Sequence, residues 1–173
     1  MSKLKRTKTA ANSRSKDFED NIQNALRHAF RLLGYRDRSE KEMYEKLTRK
    51  GFSEKVSGET VVYLRDKGFI DDRRFAEILK RDAVDRKHLG KRGARNYLIN
   101  RGIAGDIVDD VLGDDDDYFD AAKRLVERKL RNMKDYDSEK IKRRLWGMLS
   151  RRGFSYDTIK KVLQSFDFKE EER

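Results

Sequence analysis

The sequence predicts an all-α protein of three tandem three-helix repeats, about nine helices in an elongated, curved arrangement. Three observations predict it. First, the chain has no proline, so every segment is free to be helical. Second, Gly51, Gly102 and Gly153 stand 51 residues apart, twice over. Internal periods of this length mark repeat architectures. Third, apolar residues recur three and four apart, and alternating strand patterns are nearly absent.

The surroundings of the glycines repeat as well. They read Leu47-Thr48-Arg49-Lys50-Gly51-Phe52-Ser53, Leu98-Ile99-Asn100-Arg101-Gly102-Ile103-Ala104 and Leu149-Ser150-Arg151-Arg152-Gly153-Phe154-Ser155. Met43, Ala94 and Leu145 precede the three leucines by four residues, on one helix face. Each glycine suits a left-handed C-cap. Lys50, Arg101 and Arg152 face the negative end of the helix dipole. Phe52, Ile103 and Phe154 are placed to fold back onto the helix.

Residues 1–16 form a basic arm, expected to be disordered. It holds Lys3, Lys5, Arg6, Lys8, Arg14 and Lys16 and no acid, which is +6 of the formal +11. The arm either touches phosphates or is simply solvated. The first repeat, 17–68, is expected to hold helices near 18–33, 40–50 and 54–67. Ser39 and Glu42 have the spacing of a capping box, and Ser53 suits an N-cap. The second repeat, 69–113, is expected to hold helices near 72–87, 91–101 and 105–112. Asp71 is placed to cap the first, ahead of Phe75, Ala76, Ile78 and Leu79. The third repeat, 114–168, is expected to hold helices near 116–132, 138–152 and 156–166. Its first helix buries Phe119, Ala122, Leu125, Val126 and Leu130, and Ser155 suits the last N-cap. Residues 169–173 are a charged tail. A unit of about 50 residues is marginal alone, so stacked neighbours are expected to stabilise one another.

Composition removes several functions. With no cysteine, disulfides, thiolate metal sites and a cysteine nucleophile are excluded. No apolar run approaches a membrane span, and the N-terminus lacks a signal-peptide core. A cytoplasmic monomer is the expectation.

The candidate chemical motifs resolve into structural roles. Asp114 to Asp117 lack the alternation, glycine and glutamate of a calcium loop, and acids favour a helix start. Asp71-Asp72 reads as capping rather than as a catalytic pair. His28 and His88 have no triad or metal-ligand spacing. Gly90-Lys91-Arg92-Gly93 lacks the frame of a phosphate loop and follows a helix. Trp146 suits core or inter-repeat packing, with nucleobase stacking as the alternative. No catalytic residue, metal site or cofactor is expected.

The cations are more informative. Residues 80–101 hold eight Lys/Arg against two Asp, and residues 123–152 hold twelve against four acids. Lys41, Arg92 and Arg143 recur at the 51-residue step, near the start of each second helix. A cation there opposes the helix dipole, so helix stability does not explain it. A surface for an acidic or phosphate-rich partner does.

Three stretches are distinctive: Gly68-Phe69-Ile70-Asp71-Asp72-Arg73-Arg74-Phe75-Ala76, Arg36 to Met43 with Leu47 and Lys50-Gly51-Phe52, and Gly90 to Leu98 with Arg101-Gly102-Ile103. With these motifs the chain resembles the RecX family, most clearly in Gly68 to Ala76. The likeness covers roughly residues 22–166. It departs from the family pattern at Lys91, Gly93-Ala94 and Tyr97. The resemblance implies a protein lying in the groove of the RecA filament on DNA. It also implies modulation, usually inhibition, of RecA ATPase, strand exchange and coprotease activities, without catalysis. DNA, single- or double-stranded, would be held weakly or within the filament. The residues expected to meet the filament or DNA phosphates are Lys41, Lys87, Lys91, Arg92, Arg95 and Arg101. Arg143, Arg144, Arg151 and Arg152 extend that surface. The competing reading is a helix-turn-helix-like DNA-binding protein acting without RecA. Against it, the second and third helices lack a clear recognition helix rich in the Asn, Gln and Arg that read base edges.

Overall fold

The computed structural model describes residues 20–133 and 137–168. The basic arm and the charged tail of the sequence reading lie outside them. The described residues are helical, without strands. The first unit holds α1 (Ile22–Leu33), α2 (Glu40–Lys50) and α3 (Glu54–Asp66). The second holds α4 (Asp72–Arg81), α5 (Lys91–Asn100) and α6 (Gly105–Leu112). The third holds α7 (Phe119–Leu130), α8 (Ser138–Arg151) and α9 (Tyr156–Gln164).

The glycine turn closes the second helix of each unit in the same way. Gly51, Gly102 and Gly153 have φ of 112°, 84° and 83°, in the left-handed region that glycine enters without Cβ strain. Phe52, Ile103 and Phe154 donate their amides to Leu47, Leu98 and Leu149 at 3.2, 3.2 and 3.3 Å. This is the Schellman closure, and it satisfies carbonyls the helix end leaves free. The three residues after the glycines are then buried, as the spacing required. Ser39, Ser53, Asp71 and Ser155 cap the helices that follow them, each accepting an amide three residues on.

Three local expectations are refined. Only half of the capping box forms: Ser39 Oγ accepts the Glu42 amide at 3.1 Å. The Glu42 carboxylate turns to the Arg36 and Arg38 guanidiniums, whose charge-assisted bonds outweigh a return bond to an amide. Burial works to raise the Glu42 carboxyl, but the two arginines together hold it below its ordinary value. The helix expected over 72–87 stays α-helical to Arg81, then widens into a π-helical turn over Asp82–Arg86. That turn places Asp82 to accept the Tyr97 hydroxyl at 2.9 Å, and it buries Ala83. The helix expected from 116 opens with a 3-10 turn, Asp115–Tyr118, before α7. Tyr118 is buried there and donates to the Leu112 carbonyl at 2.9 Å. The aspartates of that turn reach outward, Asp116 to Lys161 at 3.0 Å and Asp117 to Lys80 at 3.7 Å.

The apolar interior falls into two bodies. One belongs to the first unit and includes Ala25, Ala29, Met43, Leu47, Phe52, Leu64 and Ile70. The other runs without interruption from Phe75 in α4 to Val162 in α9. The second and third units therefore share one core, and the first has its own. The three-unit register is present in the backbone, but it is not carried evenly into the packing.

Candidate functional site

The structure brings most of the sequence-predicted cations to two joints between units. Each joint is built from the same parts. The glycine turn ending the second helix of one unit docks on the start of the second helix of the unit before it.

At the joint between units one and two, Ser39 Oγ donates to the Arg101 carbonyl at 2.7 Å. A Cβ added to Gly102 would lie 2.4 Å from Ser39 Oγ and 3.3 Å from the Lys41 Cβ. Asp72 adds a second tie: its carboxylate accepts the Glu40 amide at 2.9 Å. Thus Asp71 caps its own helix and Asp72 caps α2 of the neighbouring unit. Burial first, then the nearby Glu40 and Asp71, push the Asp72 carboxyl above its ordinary value. The Glu40 amide opposes that shift.

At the joint between units two and three, the contact is backbone on backbone. Gly90 donates its amide to the Arg152 carbonyl at 3.0 Å, and Arg92 donates its amide to the Gly153 carbonyl at 3.1 Å. A Cβ on Gly93 would lie 2.2 Å from the Arg152 carbonyl oxygen, and one on Gly153 2.2 Å from the Gly93 amide. A Cβ on Gly90 would meet the Phe154 amide at 2.3 Å. This joint therefore leaves no room for a side chain at Gly93.

The predicted cations have distinct surroundings. Lys41 and Arg101 belong to the first joint. Arg101 is half-buried, with its guanidinium over the Phe75 ring at 5.6 Å. Lys87, Lys91, Arg92, Arg151 and Arg152 gather at the second. Arg152 is built into that joint, donating to the Lys87 carbonyl and to the His88 carbonyl at 3.3 Å. Lys87 lies over the Tyr97 ring at 5.0 Å and 3.9 Å from Asp82. Arg92 reaches the Ser150 carbonyl at 3.4 Å. Its recurrence with Lys41 therefore has a structural account too, because a cation there faces the negative end of the next unit's helix. Arg95 sits a turn further along α5 and forms a two-bond fork with Asp109, at 2.9 and 3.3 Å. That carboxylate, through its hydrogen bonds first and then its charge, raises Arg95. Arg143 and Arg144 lie apart from both joints, one turn inside α8, which begins four residues earlier than the 51-residue step from α2 and α5 would place it. Lys41, Arg92, Arg143 and Arg151 have no ion-pair partner among the described residues, and all four are exposed.

Sequence reasoning missed the neighbours that organise this surface. Arg128 and His88 meet at 3.1 Å across the second joint, and Arg124 reaches Asp85 at 3.5 Å. His88 has a φ of 50°, outside the usual range for a side-chain-bearing residue. Burial, then Arg128, Arg152 and Arg124, hold its imidazole below the ordinary histidine value. A lone histidine in a basic loop carries little sequence signal. The concentration of arginines 40 and 64 residues away becomes visible only when the units dock. Among the described residues no three His, Asp or Glu side chains are grouped to hold a metal ion. No described helix is long and apolar enough to cross a membrane.

Helical units joined end to end, with cations gathered at the joints, define a tandem-repeat protein of three-helix domains. Family models match each domain in turn: RecX first three-helix domain over 25–64, second over 71–112 and third over 115–163. The "Regulatory protein RecX" of Clostridium acetobutylicum is 32% identical over 152 residues, covering 84% of this chain and 70% of that protein. The protein of the same name from Chlorobium phaeobacteroides is 37% identical over 138 residues, covering 78% and 88%. The crystal structure of RecX from Lactobacillus salivarius superimposes with a TM-score of 0.78 at 25% identity, covering 87% of this chain and 99% of that one. The chain belongs to the RecX family.

Proposed function

We propose that this protein regulates the RecA recombinase by binding the RecA–DNA filament in its groove and lowering its ATPase, strand-exchange and coprotease activities. Membership of the RecX family is the observation that carries this reading. The protein acts in the cytoplasm as a monomer, without a catalytic site or cofactor of its own. It holds DNA weakly, or only within the filament.

Two features of the chain support the mechanism. Units docked in series offer a body able to contact neighbouring filament subunits at once. The exposed cations Lys41, Arg92, Arg143 and Arg151 are available to phosphates or acidic side chains, and each neutralised phosphate releases counterions. Arg101 and Arg152 act mainly inside the joints, where they set the geometry of that surface. A regulator shifts the filament only through unequal affinity for its states. Its effect therefore depends on the nucleotide bound to RecA.

The test measures binding to bare DNA, to RecA alone and to RecA–ATP–DNA filaments at near-physiological salt. Preference for filaments is expected. Tight binding to bare DNA without that preference would instead support a helix-turn-helix-like DNA-binding protein independent of RecA. Lys41→Glu combined with Arg92→Glu is expected to lower filament affinity with helicity intact. Arg95→Glu is expected to add little, because Asp109 already holds that guanidinium.

A further inference from the structure

The third unit carries a cleft that the joints do not use. It lies between α8 and α9 and has a volume of about 580 Å³. That is within the range of about 300–1,000 Å³ typical of small-ligand sites. Its lining is aromatic where it is apolar: Trp146, Phe166 and Phe168, with Leu163 as the aliphatic member. Trp146 is half-buried and braced by the Tyr156 ring, 5.1 Å away in an edge-to-face pair. Cations stand on both walls, Lys142 and Arg143 from α8 and Lys160 from α9. One carboxylate shares the lining, Glu139, and it is bonded to Lys142 at 2.8 Å. The wall residues thus carry a net charge of +2, three cations against one acid.

We propose that this cleft binds an unpaired nucleotide of single-stranded nucleic acid, its base against Trp146 and its flanking phosphates on Arg143 and Lys160. The chemistry of the walls selects that occupant. Base stacking needs a broad aromatic surface, and cations beside it hold the backbone. An apolar peptide side chain is better matched by aliphatic walls, and a free phosphate has no use for the aromatic floor. The site is also particular to this unit. At the 51-residue step Trp146 corresponds to Arg95 and Tyr44, and Arg95 is held by Asp109. The starts of α2 and α5 lie under the glycine turn of the next unit, whereas no such turn is docked on α8 among the described residues. The inference goes beyond the filament reading and stands without it, because it needs no RecA.

Trp146 is the single tryptophan of the chain, so its own fluorescence reports on the site. The experiment titrates the full chain with a short oligothymidylate at near-physiological salt, with RecA absent. Saturable quenching is expected. An abasic oligomer of the same length is expected to bind about tenfold more weakly and to leave the emission unchanged. Anisotropy of a labelled oligomer then follows the variants. Trp146→Phe keeps an aromatic face and is expected to stay within a few-fold of the parent. Trp146→Ala, and separately Arg143→Ala with Lys160→Ala, are expected to weaken binding about tenfold, with circular dichroism unchanged. Since Arg143 and Lys160 lie on the exposed rim, their variant reads the site even if Trp146→Ala unfolds. Equal affinity for the abasic oligomer would overturn the proposal in favour of phosphate contacts alone. Stronger quenching and competition by an acidic peptide bearing phenylalanine would overturn it in favour of protein docking.

Discussion

The two joints between units use one geometry and two kinds of chemistry. Between the first and second units, side chains mediate: Ser39 bonds the Arg101 carbonyl and Asp72 takes the Glu40 amide. Between the second and third, main chain meets main chain at three glycines, and Arg152, Arg124 and Arg128 cross over it. The interior follows the same division, with a private core in the first unit and a shared one beyond it. The lesson is that a sequence repeat fixes where units touch, not how firmly. A side-chain joint can adjust by rotamer changes, whereas a backbone joint tolerates little displacement. Motion within the described body is therefore expected at the first joint. There it alters the relation of Lys41 to the cations of the second.

One methyl group inserted at each joint is expected to have the largest effect. Gly153→Ala forces a Cβ against the Gly93 amide and strains a left-handed residue, and it is expected to cost about 3 kcal/mol or more. Gly93→Ala carries no such backbone strain and isolates the close approach, at about 1–3 kcal/mol. Gly102→Ala is expected to cost less than Gly153→Ala, because its nearest neighbour is the movable Ser39 hydroxyl. Adding Ser39→Ala is expected to relieve part of the Gly102→Ala penalty, a coupling read by a double-mutant cycle in urea. Equal costs at the two glycines would remove the distinction between the joints.

Arg152→Met is next in size. It leaves the Lys87 and His88 carbonyls without their guanidinium and is expected to cost about 1–3 kcal/mol. Hydrogen exchange is expected to speed up in α5 and α8 while α1 to α3 keep their protection. Uniform loss of protection would mean that the first unit is not separate. Ser39→Ala alone is smaller, about 1 kcal/mol, the size of a lost N-cap. It is expected to loosen the first joint and leave exchange in the third unit unchanged.

The smallest effect is one of pH. His88 sits among three arginines with its folded value below the ordinary 6.5, so the unfolded chain takes up the proton first. The stability it contributes is complete above 6.5 and is lost as the pH falls through that value towards the folded one. The melting temperature is expected to drop between about pH 7.5 and pH 5.5, near the ordinary range of histidine. His88→Asn keeps a residue suited to positive φ and is expected to flatten that slope. Some slope remains, since burial and then Arg31 and Lys50 also lower His28 in the first unit.

Much of the fold was legible because its signals are local. The glycine after each second helix, the serine caps and the apolar spacing act within a few residues, and each appears where expected. The capping box was legible only in half, because Arg36 and Arg38 compete for Glu42 from outside the motif. The π-helical turn at Asp82–Arg86 left no local mark; its anchor is Tyr97, fifteen residues on. For the candidate surface, the sequence supplied the cations but not their company. Nothing near Arg95 in the chain announces Asp109, and nothing near Arg152 announces the carbonyls of Lys87 and His88.

Most helices, the serine and Asp71 caps and the 51-residue step were written in the sequence, since these rest on backbone conformation and short-range periodicity. The tertiary structure alone decided that the second and third units share a core and the first does not. It also decided which cations serve the joints and which stay open to a partner. The physical reason is range: capping and helical periodicity are settled within one or two turns, whereas burial and ion pairing depend on residues brought together from far along the chain.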